Sequence, residues 1–173
     1  LNLHREGILA VTSVYPGAVP ADVASQAVQA TRAIAEGLNY VGVLCVEFFM
    51  LEGGQLVVNE MAPRPHNSGH YTIDACRTNQ FQQQMRAICG LTLGDPTQHS
   101  PSVMINLLGD VWPAESTHPD WSPVLNHPRA KLHLYGKAAA RSKRKMGHIN
   151  VLGDTLEEAL ETAQEIKARL GIV

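Results

Sequence analysis

The sequence predicts an α+β chain: antiparallel strands with covering helices over residues 1–95, then a small β-rich domain over residues 96–173 that ends in a helix. Three observations predict it. The apolar run Tyr40 to Leu51 and the strand pattern Gln55 to Glu60 flank Glu52-Gly53-Gly54, a hairpin turn signal. Val23, Ala27, Ala30, Ile34 and Leu38 recur at helical spacing just before that hairpin. After Gly94-Asp95-Pro96, short alternating runs give way to a terminal amphipathic pattern.

Taken in order, Ile8 to Val14 reads as a short strand, ended by Pro16-Gly17 and Pro20. A helix follows from about Asp22 to Gly37, and its apolar face is expected to cover the sheet that holds Glu47. A second helix over Asn79 to Cys89 is expected to turn Phe81, Met85 and Ile88 inward and to close at Gly90. Val103, Ile105 and Leu107 alternate as a strand. The four prolines between there and Pro128 argue against long regular elements, and Trp112 and Trp121 are expected to pack. Lys131 to Tyr135 and Met146 to Leu152 read as strands flanking a basic loop. Thr155-Leu156-Glu157-Glu158 has the form of a capping box, which starts a helix carrying Leu156, Ala159, Leu160, Ala163, Ile166 and Leu170 on one face.

Composition bounds the function. With 173 residues, 45% hydrophobic and 17% charged, the chain can bury a core in one or two small domains. No stretch approaches the roughly 18 apolar residues of a membrane span. Leu1-Asn2-Leu3-His4-Arg5 has neither a signal-peptide pattern nor an initiator methionine, so the chain is expected to begin mid-protein. Cys45, Cys76 and Cys89 are odd in number without Cys-x-x-Cys spacing, which points to free thiols in a reducing cytoplasm. A net charge of -2 gives no general attraction to nucleic acid or to an anionic membrane.

The chemistry concentrates in Asn59 to His70, where a carboxylate, a guanidinium, two imidazoles and two amides share a segment stiffened by Pro63 and Pro65. If Gly53-Gly54 is a two-residue loop, Glu52 pairs with Gln55, and counting back sets Glu47 across from Glu60. Their Cβ atoms would then be about 5 Å apart, where like charges repel unless a cation lies between them or one takes up a proton. Hard oxygen donors suit Mg2+. The alternative is that each glutamate pairs with an arginine or faces solvent.

These residues carry a family resemblance. Val46-Glu47-Phe48-Phe49, the run from Asn59 to His70, Gln80-Phe81, Arg86-Ala87-Ile88, Tyr135-Gly136-Lys137 and Arg144-Lys145-Met146-Gly147-His148 resemble the ATP-grasp carboxylases, specifically the N5-carboxyaminoimidazole ribonucleotide synthetases. The resemblance covers essentially the whole chain. It implies the C-terminal subdomain of an ATP-grasp fold, with Glu47 and Glu60 as Mg2+ ligands and Asn59 as a further phosphate or metal contact for ATP. It also implies transfer of the γ-phosphoryl group to bicarbonate, giving carboxyphosphate. Arg64, whose planar fork matches an oxyanion, would hold bicarbonate or carboxyphosphate. His66, Asn67 and Ser68 would reach aminoimidazole ribonucleotide, with His66 the candidate base. Whether the amine attacks carboxyphosphate or released carbon dioxide stays open. Lys137, Arg144 and Lys145 would contact the substrate phosphate, although this chain has Ser142-Lys143 where the family usually has Pro-Gly, which is expected to leave the loop more mobile. The resemblance further implies a homodimer in the intact enzyme, and a chain inactive without the family's N-terminal half. Other readings are a formyl-transferring or biotin-carboxylating ATP-grasp ligase, disfavoured by His66-Asn67-Ser68 and the basic loop, and a non-catalytic interaction domain. An RNA-binding module is weaker, because the single cationic loop lacks interleaved aromatics.

Overall fold

The computed structural model describes residues 2–5, 8–14, 19–113 and 118–172; the turn expected at Pro16-Gly17 lies outside them. In chain order the elements are β1 (Asn2–Arg5), β2 (Ile8–Val14), α1 (Ala21–Gly37), β3 (Cys45–Met50), β4 (Leu56–Ala62), α2 (Thr72–Ala75), α3 (Gln80–Ile88), β5 (Ser102–Leu108), α4 (Ser122–Leu125), β6 (Ala130–Leu134), β7 (Lys145–Leu152) and α5 (Leu156–Arg169). They form two compact units: Leu1–Tyr15 with Gln98–Val173, and Pro16–Thr97.

The first unit is an antiparallel sheet in the order β1-β2-β5-β7-β6. Alternation along its strands sorts side chains onto two faces. One face is apolar: Val103, Ile105 and Leu107 of β5 and Ile149 and Val151 of β7 pack with Ala159, Ala163 and Ile166 of α5 and Val124 of α4. Burying each large aliphatic side chain there contributes about 1.5–3 kcal/mol. Trp112 and Trp121 pack against this core, edge to face at 5.3 Å between ring centres. The Thr155 hydroxyl caps α5 by accepting the Glu158 N–H, while the Glu158 carboxylate accepts from Asp154. The other face is polar yet buried, with Thr12, Asn106, His148 and Asn150 all hidden. Asn106 donates to the Leu9 carbonyl at 2.7 Å. His148 stacks on its cross-strand neighbour His133 at 4.5 Å and meets the Tyr135 hydroxyl at 2.9 Å.

The compact units do not follow chain order at its start. Strand β2 pairs with β5, setting Val11 against Ile105. That pairing satisfies its backbone and brings Val11 against the apolar core.

In the second unit α1 lies against both β3 and β4. Val23 is buried on it, Ala27, Ala30 and Ile34 are partly covered, and Leu38 is exposed. The second helix corrects the expectation more sharply. Asn79 caps α3 in a full capping box with Gln82, and the helix has the expected bounds within a residue at each end, but Phe81, Met85 and Ile88 are 43%, 57% and 53% exposed. Its inward stripe is Gln80, Gln83, Gln84 and Ala87. The reason is the irregular chain packed beside it, whose backbone groups need partners that an amide can supply as both donor and acceptor. Gln83 bonds both the N–H and the C=O of Gly94, and Gln84 accepts the Val43 N–H.

Candidate active site

The glutamate pair is built by a hairpin with two irregularities. The closing bonds run from the Leu51 N–H to the Gln55 carbonyl at 2.8 Å and from the Gly54 N–H to the Leu51 carbonyl at 3.1 Å. The loop is therefore the three residues Glu52-Gly53-Gly54, with Gly53 and Gly54 at φ +85 and +82, and not the expected two. That would slip the register by one, but a bulge between Glu47 and Phe48 on β3 leaves Asn59 as an extra residue on β4. The two shifts cancel. Glu47 faces Glu60, as the simpler count expected.

His66 lies against both carboxylates, a neighbour the sequence reading did not expect for them. Its Nδ1 is 3.5 Å from Glu47 Oε1 and its Nε2 is 3.5 Å from Glu60 Oε1. Glu47 and His66 are buried, whereas the Glu60 side chain is 55% exposed. His66 caps the 3-10 turn Asn67–Gly69 by accepting the Ser68 N–H at Nδ1, and the Ser68 hydroxyl is 2.9 Å from the same nitrogen. In the tautomer that lets Nδ1 accept that amide proton, the ring N–H is on Nε2, toward Glu60. Cys45 Sγ lies 3.6 Å from the Ser68 hydroxyl. Burial pushes the Cys45 thiol up and the charges of Glu47 and Glu60 add to the shift, against the opposing Ser68 bond and Arg64 charge. Cys45 is thus a protonated thiol at neutral pH rather than a nucleophile.

Gln80 holds this loop in place. Its buried amide accepts the His66 N–H at 2.9 Å, donates to the His66 carbonyl at 2.8 Å and meets His70 Nδ1 at 2.9 Å. Gly69 passes so close that a Cβ there would stand 2.5 Å from Gln80 Oε1. Thr72 completes the frame, donating to the Gly69 carbonyl and accepting the Gln80 N–H. In the sequence Gln80 stands out only within the Gln80-Phe81 motif, and that motif does not give its role. The missed signal was glutamine at helical spacing in positions 80, 83 and 84.

The other expected residues fall as follows. Asn67 is buried on the His66 turn and Ser68 is half-buried beside it. Asn59 and Arg64 are exposed, and Arg64 donates to the Pro65 carbonyl at 3.0 Å. Lys137, Arg144 and Lys145 belong to the other compact unit. There Lys137 Nζ bonds the Lys145 carbonyl and stands 5.5 Å over the Tyr135 ring, and Arg144 donates to the Ala139 carbonyl at 2.9 Å.

Two domain families match this sequence: the ATP-grasp domain over residues 1–81 and the phosphoribosylaminoimidazole carboxylase C-terminal domain over residues 102–162. The N5-carboxyaminoimidazole ribonucleotide synthase of Bacillus subtilis is 43% identical over 160 residues, 92% of this chain and 40% of that protein. That of Brucella melitensis is 47% identical over 148 residues, 86% of this chain and 39% of the relative. The chain is similar to these N5-carboxyaminoimidazole ribonucleotide synthases over most of its own length. It spans about two fifths of the length of the curated relatives it matches. Solved synthases agree in fold. The Thermus thermophilus enzyme superposes with a TM-score of 0.86 at 40% identity, covering 96% of this chain and 44% of its own. The Aspergillus clavatus synthase, solved with ADP and 5-aminoimidazole ribonucleotide, gives 0.87 at 32% identity, covering 98% and 46%.

The donors that the hairpin gathers are chemically those of a hard divalent cation. Glu47 and Glu60 present two carboxylates across one register position, and the bulge adds the exposed amide of Asn59 beside Glu60. All three offer hard oxygens of the kind Mg2+ prefers.

Proposed function

We propose that this chain supplies part of the machinery for the ATP-dependent carboxylation of 5-aminoimidazole ribonucleotide with bicarbonate. The products are N5-carboxyaminoimidazole ribonucleotide, ADP and phosphate, formed in purine biosynthesis. The observation that carries this reading is Glu47 opposite Glu60 with His66 against both, on a loop locked by Gln80. Residues 1–95 contribute the ATP-grasp portion and residues 96–173 the small domain with the substrate-phosphate loop.

Glu47, Glu60 and Asn59 would hold Mg2+, which when bound neutralises charge on the transferring phosphate. Arg64 is free to leave its neutral carbonyl acceptor for the oxyanion of bicarbonate or carboxyphosphate, a stronger partner for a guanidinium. Asn67 and Ser68 orient the aminoimidazole. As the exocyclic amine forms its bond to carbon it must shed a proton. The lone pair that can take it is on His66 Nδ1, with the Ser68 hydroxyl 2.9 Å away to pass it. Lys137, Arg144 and Lys145 receive the substrate phosphate, Lys137 and Arg144 exchanging backbone carbonyls for a dianion. The intact enzyme acts as a homodimer in the cytoplasm; three free cysteines among the described residues are compatible with a reducing compartment, and no helix there is long and apolar enough to cross a membrane.

The test is metal binding by this chain, with Mn2+ as a paramagnetic probe. Resonances of Glu47, Glu60 and His66 broaden first, and Glu47→Gln and Glu60→Gln each weaken the effect. Broadening centred elsewhere and insensitive to both substitutions overturns the assignment.

A further inference from the structure

Five cations lie between Lys137 and Lys145, and the turn within that run is held by residues of another segment. It spans Arg141 to Arg144, closed by the Arg144 N–H donating to the Arg141 carbonyl at 3.0 Å. Lys143, its third residue, has φ +62, in the left-handed region, whereas Ser142 does not. Positive φ at the third position alone marks a type II turn, for which Pro followed by Gly is the favoured pair. A lysine there is strained, because its Cβ crowds the following carbonyl. Yet the turn is formed.

Asp110 accounts for it. Its carboxylate accepts the Lys143 N–H at 2.7 Å and the Ser142 hydroxyl. The Ser142 and Lys143 bonds hold its carboxyl below the usual range, so it is ionised at neutral pH. The neighbouring Gly109 donates its N–H to the Arg144 carbonyl at 2.8 Å. It sits so close to the turn that a Cβ there would lie 2.0 Å from the Arg141 carbonyl oxygen. The 3-10 turn Gly109–Val111, which follows β5, is therefore the seat of the basic turn.

We propose that Asp110 is a positioning residue whose carboxylate does the work of a Pro-Gly pair, fixing Ser142-Lys143 so that Arg144 and Lys145 present a preformed site for a phosphomonoester. This rests on the assignment of the basic loop to the substrate phosphate. The sign of the effect separates shape from charge. By Coulomb's law a carboxylate beside a cationic loop repels a dianion, so deleting it should tighten phosphate binding. If Asp110 instead shapes the turn, deleting it weakens binding.

The experiment measures ribose 5-phosphate binding to the full chain by calorimetry, and hydrogen exchange at the Lys143 amide. Asp110→Ala is expected to weaken binding about fivefold to tenfold and to lose roughly tenfold of the amide protection. Asp110→Asn keeps an acceptor without the charge and should bind at least as tightly as the parent. The triple variant Asp110→Ala, Ser142→Pro, Lys143→Gly needs no clamp and should recover the affinity. Equal or tighter binding by Asp110→Ala overturns the proposal, as does a triple variant that stays weak although its Arg144 amide is protected. If the parent chain does not bind ribose 5-phosphate, or binds it no better than Lys145→Ala does, the phosphate assignment is wrong and the positioning role falls with it. A Lys143 amide that still responds to Asp110→Ala would then mark the clamp as structural alone.

Discussion

Replacing Gln80 with leucine removes the amide that frames the candidate site while keeping most of the side chain's volume. Gln80 is only 8% exposed, and its amide makes three bonds, to the His66 N–H, the His66 carbonyl and His70 Nδ1. A net hydrogen bond is worth about 1 kcal/mol, and a buried backbone group left unpaired costs about 1–3 kcal/mol, so the expected loss is about 3 kcal/mol. Both tryptophans lie in the other compact unit, so their fluorescence is a poor reporter of this change. Native-state hydrogen exchange at the His66 amide reads it directly. A loss of about 3 kcal/mol lowers protection by roughly a hundredfold or more. A fall of less than about fivefold, equivalent to about 1 kcal/mol, would refute the view that Gln80 holds the loop.

Three further outcomes follow from the same structure. Gly69→Ala places a Cβ 2.5 Å from Gln80 Oε1, so it should displace the amide from His66 and lower the same His66 protection, by about 2 kcal/mol. Ile149→Ala empties a fully buried position under α5 and should cost about 3 kcal/mol in urea unfolding followed by Trp112 and Trp121 fluorescence. Burial pushes the Tyr135 hydroxyl up to about 12, so the folded chain holds this proton more tightly than the unfolded chain, in which tyrosine titrates near 10. The stability this supplies is complete below about pH 10 and is lost as pH rises through about 12; Tyr135→Phe should remove the component of the phenolate absorbance titration near that upper value.

Helices α1, α3 and α5 and strands β2, β5, β6 and β7 were legible because their signals are local, most of them periodic. Val103, Ile105 and Leu107 alternate on one strand, and Ala159, Ala163 and Ile166 recur on one helical face, so each pattern names its own buried side. Partner choice is not local. Nothing in Ile8 to Val14 says that β5 is its neighbour, and the polar strand Asn2–Arg5 carries no alternation to reveal it. Helix α3 misleads for a different reason, since its apolar residues face outward while glutamines satisfy the loop backbone beneath. At the site, spacing set Glu47 across from Glu60, and the family resemblance singled out His66. The facing of the two glutamates was reached through a loop one residue too short and a bulge at Asn59 that no pattern announces. The contact of His66 with both carboxylates depends on how the loop folds back, which Gln80, Thr72 and the Asn67–Gly69 turn fix. The departure at Ser142-Lys143, expected to loosen the basic loop, is met by Asp110, thirty-odd residues away in sequence.

The most direct test of the account is turnover of the intact protein that contains this chain, coupled to ADP release, with and without 5-aminoimidazole ribonucleotide. Wild type is compared with Glu60→Gln and His66→Ala. The account predicts ADP release that requires the nucleotide, collapses with Glu60→Gln and falls by a factor on the order of a hundred or more with His66→Ala. ADP released equally well without the nucleotide, or undiminished by both substitutions, would contradict it.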